Sequence, residues 1–448
     1  MGILNRKEPL VLFLGDIILF VGALWLSLLV RYGEVPNQVF FGNYLLKFIP
    51  IFFFWFLVFF VAGLYERHTL TFRKRLPGLI LKTQIINSLL ASLFFYFLPN
   101  PDITPKTILL VQLFISFIVI LAWRIYGYSL FGPNKKQDAV LIGQGEEMND
   151  LFKEINNNNL YGIKFAQMID VSAFNESFSK EYLANILKND DVSIVVVDVS
   201  NPKISVILPH LYGLIFSKIK FIELHKLYEE IFGKIPLSLV NEGWFIENVS
   251  NTTPRVGYEF VKRAMDIIFS FLFFVVSIPF YPLIFLLIKL DDGGNIFIVQ
   301  NRIGKDDKII KIVKFRTMNR NDDGFYDKNN PNKVTRVGNF LRKTHLDEIP
   351  QFWGVLIGDL SLVGPRSELP ELVRLYSLKV PFYNVRHLVK PGLSGWAQIY
   401  HENHPHHEAD EKETKTKLSY DLFYIKNRSL AIDLAVVLKT INVLFRGI

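Results

Sequence analysis

The chain has 448 residues, half of them hydrophobic and 15% aromatic, and a mean hydropathy of +0.26; soluble globular chains are rarely so apolar, which brings membrane segments first to mind. It contains no cysteine, excluding disulfides, thiolate nucleophiles, Cys-type zinc sites and iron–sulfur clusters and fitting a reducing compartment. Its net charge of +8 suits Lys and Arg facing anionic lipid, and nucleic-acid binding is disfavoured because the basic residues are scattered among acids.

Four apolar stretches fill the first third, at residues 9–30, 44–65, 76–98 and 107–131. Each is about the 20 residues needed to cross a bilayer. Lys82, Gln84 and Asn87 interrupt the third. No cleavage site follows the first, which reads as an anchor rather than a signal peptide. "ILNRKE", "ERHTLTFRKR" and "GPNKKQD" carry clustered Lys and Arg, whereas "RYGEVPNQVFFGN" and "PNPDITPK" carry few. The positive-inside rule places both ends of this bundle in the cytoplasm. Asp16, inside the first segment, is a functional candidate by default; a helix–helix hydrogen-bond partner is the plainer and preferred reading.

From Asp138 the texture becomes soluble. "DAVLIGQGEEMNDLFKEI" reads as strand, Gly turn and helix, and "DDVSIVVVDVS" and "SKIKFIELHKL" as two further strands. The alternation suggests a parallel α/β, Rossmann-like sheet. Gly143 and Gly145 give only G-x-G, with Met148 where a dinucleotide fingerprint needs its third glycine. A nucleotide ligand stays open here, and a regulatory or structural module is the safer reading.

"YEFVKRAMDIIFSFLFFVVSIPFYPLIFLLIKLDDGGN" holds one run of spanning length, broken near its middle by Pro279 and Pro282. Prolines ease a break, and Ser277 can help satisfy the freed backbone. Lys262 and Arg263 flank one end and Lys289 the other. Positive charge on both sides fits a re-entrant hairpin better than a crossing.

The remainder is basic and aromatic. Asp347 and Glu348, in "RKTHLDEIPQFWG", form an adjacent acid pair. Such carboxylates can attack phosphoryl centres, raise each other's pKa, or bind a hard cation such as Mg²⁺. Arg302, Lys305, Lys314, Arg316, Arg336, Arg342, Lys343, Arg366 and Arg386 lie around the pair in sequence, and Arg matches phosphate oxygens with a bidentate fork. "LVGPRSE" and "KPGLSGWA" add turns suited to backbone contacts with an anion. The plainer reading of "LDEIPQ" is an exposed first helical turn with acids favoured by the dipole; the surrounding Arg, Gly and Pro motifs, just after a membrane anchor, tip the balance towards chemistry. "YHENHPHHEADEKE" offers His401, His404, His406 and His407 with Glu402 and Glu408; a metal site is conceivable there, but Pro405 argues against a regular helix and a solvated loop is preferred. The final "LAVVLKTINVLF" has helical spacing and could lie on a membrane surface.

From Tyr258 onward the pieces "VKRAMDIIFS", "QNRIG", "VKFRTM", "LRKTHLDEIPQFWGVLIGDLSLVGPR", "KPGLSGWAQI" and "YDLFYIKN" occur in order. With the Pro-broken hairpin, they make this region resemble the bacterial sugar transferase family, the polyprenyl-phosphate hexose-1-phosphate transferases or monotopic phosphoglycosyl transferases. The N-terminal segments and the G-x-G region resemble its long branch. The resemblance implies a four-helix transmembrane region (1–134), a Rossmann-like cytoplasmic domain (135–250), and a re-entrant membrane helix with a mainly helical α/β catalytic domain (251–448). It implies transfer of a sugar 1-phosphate from a UDP-sugar to undecaprenyl phosphate, with release of UMP, at the bacterial inner membrane with both soluble domains in the cytoplasm. That would be a first membrane step of exopolysaccharide, capsule or O-antigen synthesis. Asp347 would be the nucleophile and Glu348 its Mg²⁺-associated partner. Arg342 and Arg366 would contact phosphate, and Lys314, Arg316, Arg302 and Arg386 complete the expected substrate-binding set. Lys262, Arg263 and Asp266 would open the hairpin, with Ser277 and Pro279 at its break. No nucleic-acid partner is expected, and a homo-oligomer is left open. Three departures stand out: Ile278 before Pro279, Ser367 where many members have Pro, and "YHENHPHHEAD" in place of a Gly/Arg-containing loop, which leaves the donor sugar open. The main rival is a membrane-bound nucleotide-sugar 4,6-dehydratase, which needs a Tyr-x-x-x-Lys pair; Tyr258 and Lys262 fit by spacing alone. A flippase-like transporter would need no arginine-rich soluble domain.

Overall fold

The computed structural model describes residues 8–65, 76–97, 105–124, 136–158, 161–171, 192–213, 216, 219–250, 256–319, 333–400 and 411–446. The chain divides into two compact units, Met1–Val197 with Val206–Phe221, and Asp198–Ser205 with Ile222–Ile448.

The first unit begins with four apolar helices: α1 (Glu8–Tyr32), α2 (Gln38–Val61), α3 (Leu76–Phe97) and α4 (Pro105–Ala122). Asn37 caps α2 by accepting from the Phe40 amide at 2.8 Å. Phe20, Phe48, Trp55 and Phe59 fill the centre, while Phe53, Leu89 and Phe114 remain exposed. Helices apolar on both their packed and their outer faces are membrane helices. The first three are long and apolar enough to cross a bilayer; the apolar part of α4 is shorter within the described residues. The chain is thus a membrane protein. Two of the three polar interruptions of α3 are explained by facing: Gln84 and Asn87 are buried, together with Thr83, while Ile85 and Ile86 point outward; Lys82 is exposed. Asp16 is ion-paired with Arg124 at 2.5 Å, both side chains fully buried, and Arg124 also donates to the Leu64 carbonyl. This acid fastens helices, as the plainer reading expects. The basic stretches "ILNRKE", "ERHTLTFRKR" and "GPNKKQD" lie largely outside the described residues, as does the His-rich stretch 401–408.

A four-stranded sheet follows, ordered β2-β1-β3-β4 and formed by β1 (Gln137–Gly143), β2 (Ile163–Asp170), β3 (Ile194–Val197) and β4 (Lys220–Glu223). Strand β1 runs parallel to both β2 and β3. The sequence pattern did not signal β2: its residues alternate between buried and exposed, but Ala166 and Met168 lie on the exposed face and Gln167 on the inner one, so the alternation does not show in residue type. It also carried "SKIKFIELHKL" too far as strand. From Leu224 the chain is helical, because Leu224, Leu227, Tyr228 and Ile231 are buried at helical spacing. Gly145 takes φ +102° before α5 (Glu146–Asn157), whose first turn carries Glu146 and Glu147. Two acids stand where a dinucleotide would put its pyrophosphate, which favours the structural module.

In the second unit, α6 (Leu224–Phe232) and the residues after it are stitched to the C-terminal region. Ile235 N donates to the Ser419 carbonyl, Lys426 pairs with Glu229 at 2.8 Å, and Trp396 Nε1 donates to the Gly233 carbonyl. Next come α7 (Val256–Ser277) and α8 (Phe280–Asp292), bent by 58° at the predicted break. Ser277 Oγ donates to the Phe274 carbonyl and Pro279 caps α8. On α7, Asp266, Ser270 and Ser277 are buried while Phe271, Leu272, Val275 and Val276 are exposed.

The first turns of α7 hold the rest of the unit. Lys262 Nζ reaches the Val363 carbonyl and Asp433 Oδ2, both at 3.0 Å. Arg263 donates to the Val355 and Leu356 carbonyls at 2.7 and 2.8 Å, and Asp266 accepts from the Leu362 amide at 3.0 Å. Three residues of one helical face thereby fix the two segments that flank the acid pair's environment.

Candidate active site

Strands β5 (Phe297–Ile303) and β6 (Ile309–Phe315) form an antiparallel hairpin that pairs Arg302 with Ile310 and Ile298 with Lys314. Its turn runs through Asp306 and Asp307 at φ +54° and +58°, the handedness that a tight hairpin turn requires. Helix α9 (Arg336–Lys343) starts at Thr335, whose hydroxyl accepts from the Gly338 amide, and ends in Arg342 and Lys343, favoured at the negative helix end. His345 then takes φ +54°. A non-glycine residue in that region stores about 1–3 kcal/mol of strain. The turn throws the chain into the single 3₁₀ turn Leu346–Glu348, and Pro350 starts α10 (Gln351–Ile357). Phe352 stacks on Phe273 at 5.5 Å and Trp353 packs on Phe274 at 5.9 Å. The aromatic run after the acid pair therefore seats it against α7.

Strand β7 (Ser361–Val363) pairs in parallel with β8 (Gly392–Ser394), bringing "GPR" next to "KPG". A Cβ on Gly364 would lie 2.4 Å from the Lys390 carbonyl oxygen, and one on Gly392 would lie 2.1 Å from Gly364 N. Only glycine allows that approach, which sets the position of Arg366.

Glu348 is the hub. Its Oε1 accepts from Lys314 Nζ at 2.9 Å and from Arg366 Nη2 at 2.8 Å. Burial alone would push its carboxyl up; the Arg366 and Lys314 charges overcome this and hold it well below the usual carboxylate range. Asp347 next to it is half-buried, and among the described residues its carboxylate accepts no hydrogen bond. Burial and then the Glu348 charge push its pKa up, against Lys314, His345 and Arg342. Burial also lowers the pKa of Lys314. One acid is thus clamped as an anion and its neighbour is left unpaired. Glu348 Oε2 and both Asp347 oxygens are the donors available to a hard cation.

A pocket opens here, lined by Arg302, Lys314, Glu348, Gln351, Arg366 and Ser367, with Ile312, Gly392 and Leu393. Three cations face one carboxylate, so it favours an anion. Of the expected binding residues, Lys314, Arg366 and Arg302 line it. Arg302 also donates to the Ser367 carbonyl and to Gln300. Arg342 donates from Nε to Thr317 Oγ1 at 2.9 Å and acts on Asp347 through its charge. Arg316 instead donates to the Met318 and Asn319 carbonyls and packs over Gly294. Arg386 is buried, pairing with Asp421 and donating to Tyr383 and to the Arg366 carbonyl at 2.8 Å. It braces the Arg366 segment without lining the pocket. Sequence reasoning passed over Gln351, Thr317 and Asp421; for Gln351 the signal was its spacing, three residues beyond Glu348.

Tyr258 and Lys262, the pair a dehydratase would need, both bond to Asp433 Oδ2, at 2.8 and 3.0 Å, and hold helices together.

Residues 257–447 match the family described as bacterial sugar transferase. Over 229 residues, half of this chain, it is 38% identical to the UDP-N-acetylgalactosamine-undecaprenyl-phosphate N-acetylgalactosaminephosphotransferase of Aeromonas hydrophila. It is 40% identical over 201 residues, 44% of this chain, to the UDP-glucose:undecaprenyl-phosphate glucose-1-phosphate transferase of Escherichia coli (strain K12). These matches span 51% and 42% of the two relatives' own lengths. The exopolysaccharide production protein PSS of Rhizobium leguminosarum bv. phaseoli is 37% identical over 190 residues, 40% of this chain and 93% of that protein. With its motifs in order and a relative matched over nearly its whole length, the chain belongs to the bacterial sugar transferase family.

Proposed function

We propose that this protein transfers a sugar 1-phosphate from a UDP-sugar to undecaprenyl phosphate and releases UMP. The observation that carries this is the Asp347 carboxylate, unpaired among the described residues, beside a Glu348 clamped by Lys314 and Arg366 at a cationic pocket. In the first step an Asp347 oxygen attacks the sugar-bearing phosphorus, the bond to the bridging oxygen breaks, and UMP leaves with that electron pair. In the second, an oxygen of the lipid phosphate attacks the same phosphorus and the Asp347–phosphorus bond breaks, restoring the carboxylate. Arg366, Lys314 and Arg302 stabilise charge on the phosphoryl oxygens. The free oxygens of Asp347 and Glu348 fit Mg²⁺, which is held by one or two carboxylates plus substrate phosphates rather than by an all-protein cage; among the described residues there is no larger acid–histidine cluster. Bound there, the ion would neutralise phosphate charge.

The reading carries a topology with it: four N-terminal spans, a Rossmann-like module and the catalytic domain facing the cytoplasm of a bacterial inner membrane, and α7–α8 as a re-entrant hairpin. The 58° bend and the polar inner face of α7 support the hairpin. In this Cys-free chain, Asn295→Cys should stay unlabelled by an impermeant thiol reagent applied from outside the cell; labelling would sink re-entry. Membranes supplied with a panel of UDP-sugars, undecaprenyl phosphate and Mg²⁺ should release UMP with at least one donor. No UMP from any donor would count decisively against the transferase, and the donor that reacts identifies the sugar.

A further inference from the structure

We infer that Gln351 is a substrate-binding residue, its side-chain amide donating to a phosphoryl oxygen of the nucleotide donor; this rests on the transferase reading above. Gln351 is 6% exposed, and among the described residues its Nε2 has no hydrogen-bond partner. Buried side-chain donors are nearly always satisfied, so an orphan needs a reason. Packing does not supply one, because Ile312 and Leu393 line the same pocket and an apolar side chain of equal size would suit them without an unpaired amide.

The pocket supplies the reason. Gln351 shares it with Arg302, Lys314 and Arg366, so the group that enters is anionic. The orphaned atom is a donor, and phosphoryl oxygens only accept. Three cations and a single acid line the pocket, which suits the phosphoryl portion of a nucleotide sugar. Gln351 sits three residues beyond Glu348, so the turn that presents the acid pair also fixes the amide. A neutral donor adds directional recognition without another positive charge beside Lys314.

The test is titration calorimetry on the full-length protein in nanodiscs with UDP and with inorganic pyrophosphate, comparing wild type, Gln351→Leu and Gln351→Glu. Gln351→Leu should bind both ligands about 10- to 100-fold more weakly, as expected for losing a hydrogen bond to a charged group. Without ligand it should melt no lower than wild type, because the amide has no partner to lose. Gln351→Glu keeps the shape but replaces the donor with a carboxylate that only accepts; it should bind both ligands at least as weakly as Gln351→Leu. A merely structural role would not weaken binding in a variant of the same shape. Wild-type affinity in both variants, weakening for UDP but not for pyrophosphate, or no binding of either ligand by the wild type would each overturn the assignment. If the wild type binds UDP yet releases no UMP from any UDP-sugar, the transfer reaction falls while weakened binding by Gln351→Leu still upholds the contact. If UMP is released and both variants bind as wild type, Gln351 falls alone.

Discussion

Asp347→Asn should release UMP at least about 10⁴-fold more slowly than wild type, the scale seen when a covalent nucleophile is removed, and yet melt no lower. The two halves of that result come from one feature. Burial and the Glu348 charge push the Asp347 carboxyl up, so its folded-state pKa lies above the unfolded value of about 3.9. The sign follows: between those two values the unfolded chain gives up its proton first, native stability falls, and the full penalty is present at any higher pH. Asparagine cannot ionise and escapes the penalty, while presenting no anionic oxygen to phosphorus. Asp347 must be ionised to attack, so the rate should fall as pH drops through its folded-state pKa. Wild-type UMP release from Asp347→Asn, or a large fall in melting temperature, would sink this assignment.

Glu348→Gln should lose both activity and stability. It removes the partner of Lys314 at 2.9 Å and of Arg366 at 2.8 Å, leaving two cations facing each other at the pocket wall. Breaking a buried pair costs about 3–5 kcal/mol; with Arg366 38% exposed, solvent screening brings the expectation to roughly 2–3 kcal/mol. UMP release should fall by about 10²- to 10³-fold, the range for losing one electrostatic element of a charge-stabilising site. Because the folded-state pKa of Glu348 is depressed, its contribution is present above the unfolded value of about 4.3 and is lost as pH falls below it. Adding Lys314→Met to Glu348→Gln should recover part of the stability and none of the activity, since it removes a stranded buried cation. Additive losses in that double variant would refute the clamp.

Much of this was legible in the chain itself. Apolar length marked the N-terminal helices, paired prolines and flanking cations marked the bend between α7 and α8, and ordered motifs marked the family. The acid pair could be singled out because two carboxylates in an Arg-rich, Gly- and Pro-punctuated region have few plain explanations. Local pattern also had limits. Strand β2 escaped notice, and β4 ended sooner than its apolar run implied.

The division of labour among the charges was decided only by tertiary structure. In sequence Asp347 and Glu348 are equivalent neighbours; in space Lys314, from a strand more than thirty residues earlier, and Arg366, from the turn after β7, both reach Glu348 rather than Asp347. The arginines likewise look alike until the fold sorts them: Arg366 faces the pocket, Arg386 braces the Arg366 segment, Arg316 ties down its own loop. The physical reason is range. Helix length, turns and hydrophobic faces are fixed by residues a few positions apart, so a sequence displays them. A charge's role depends on which opposite charges and how little water lie within a few ångströms, and those neighbours arrive from distant parts of the chain.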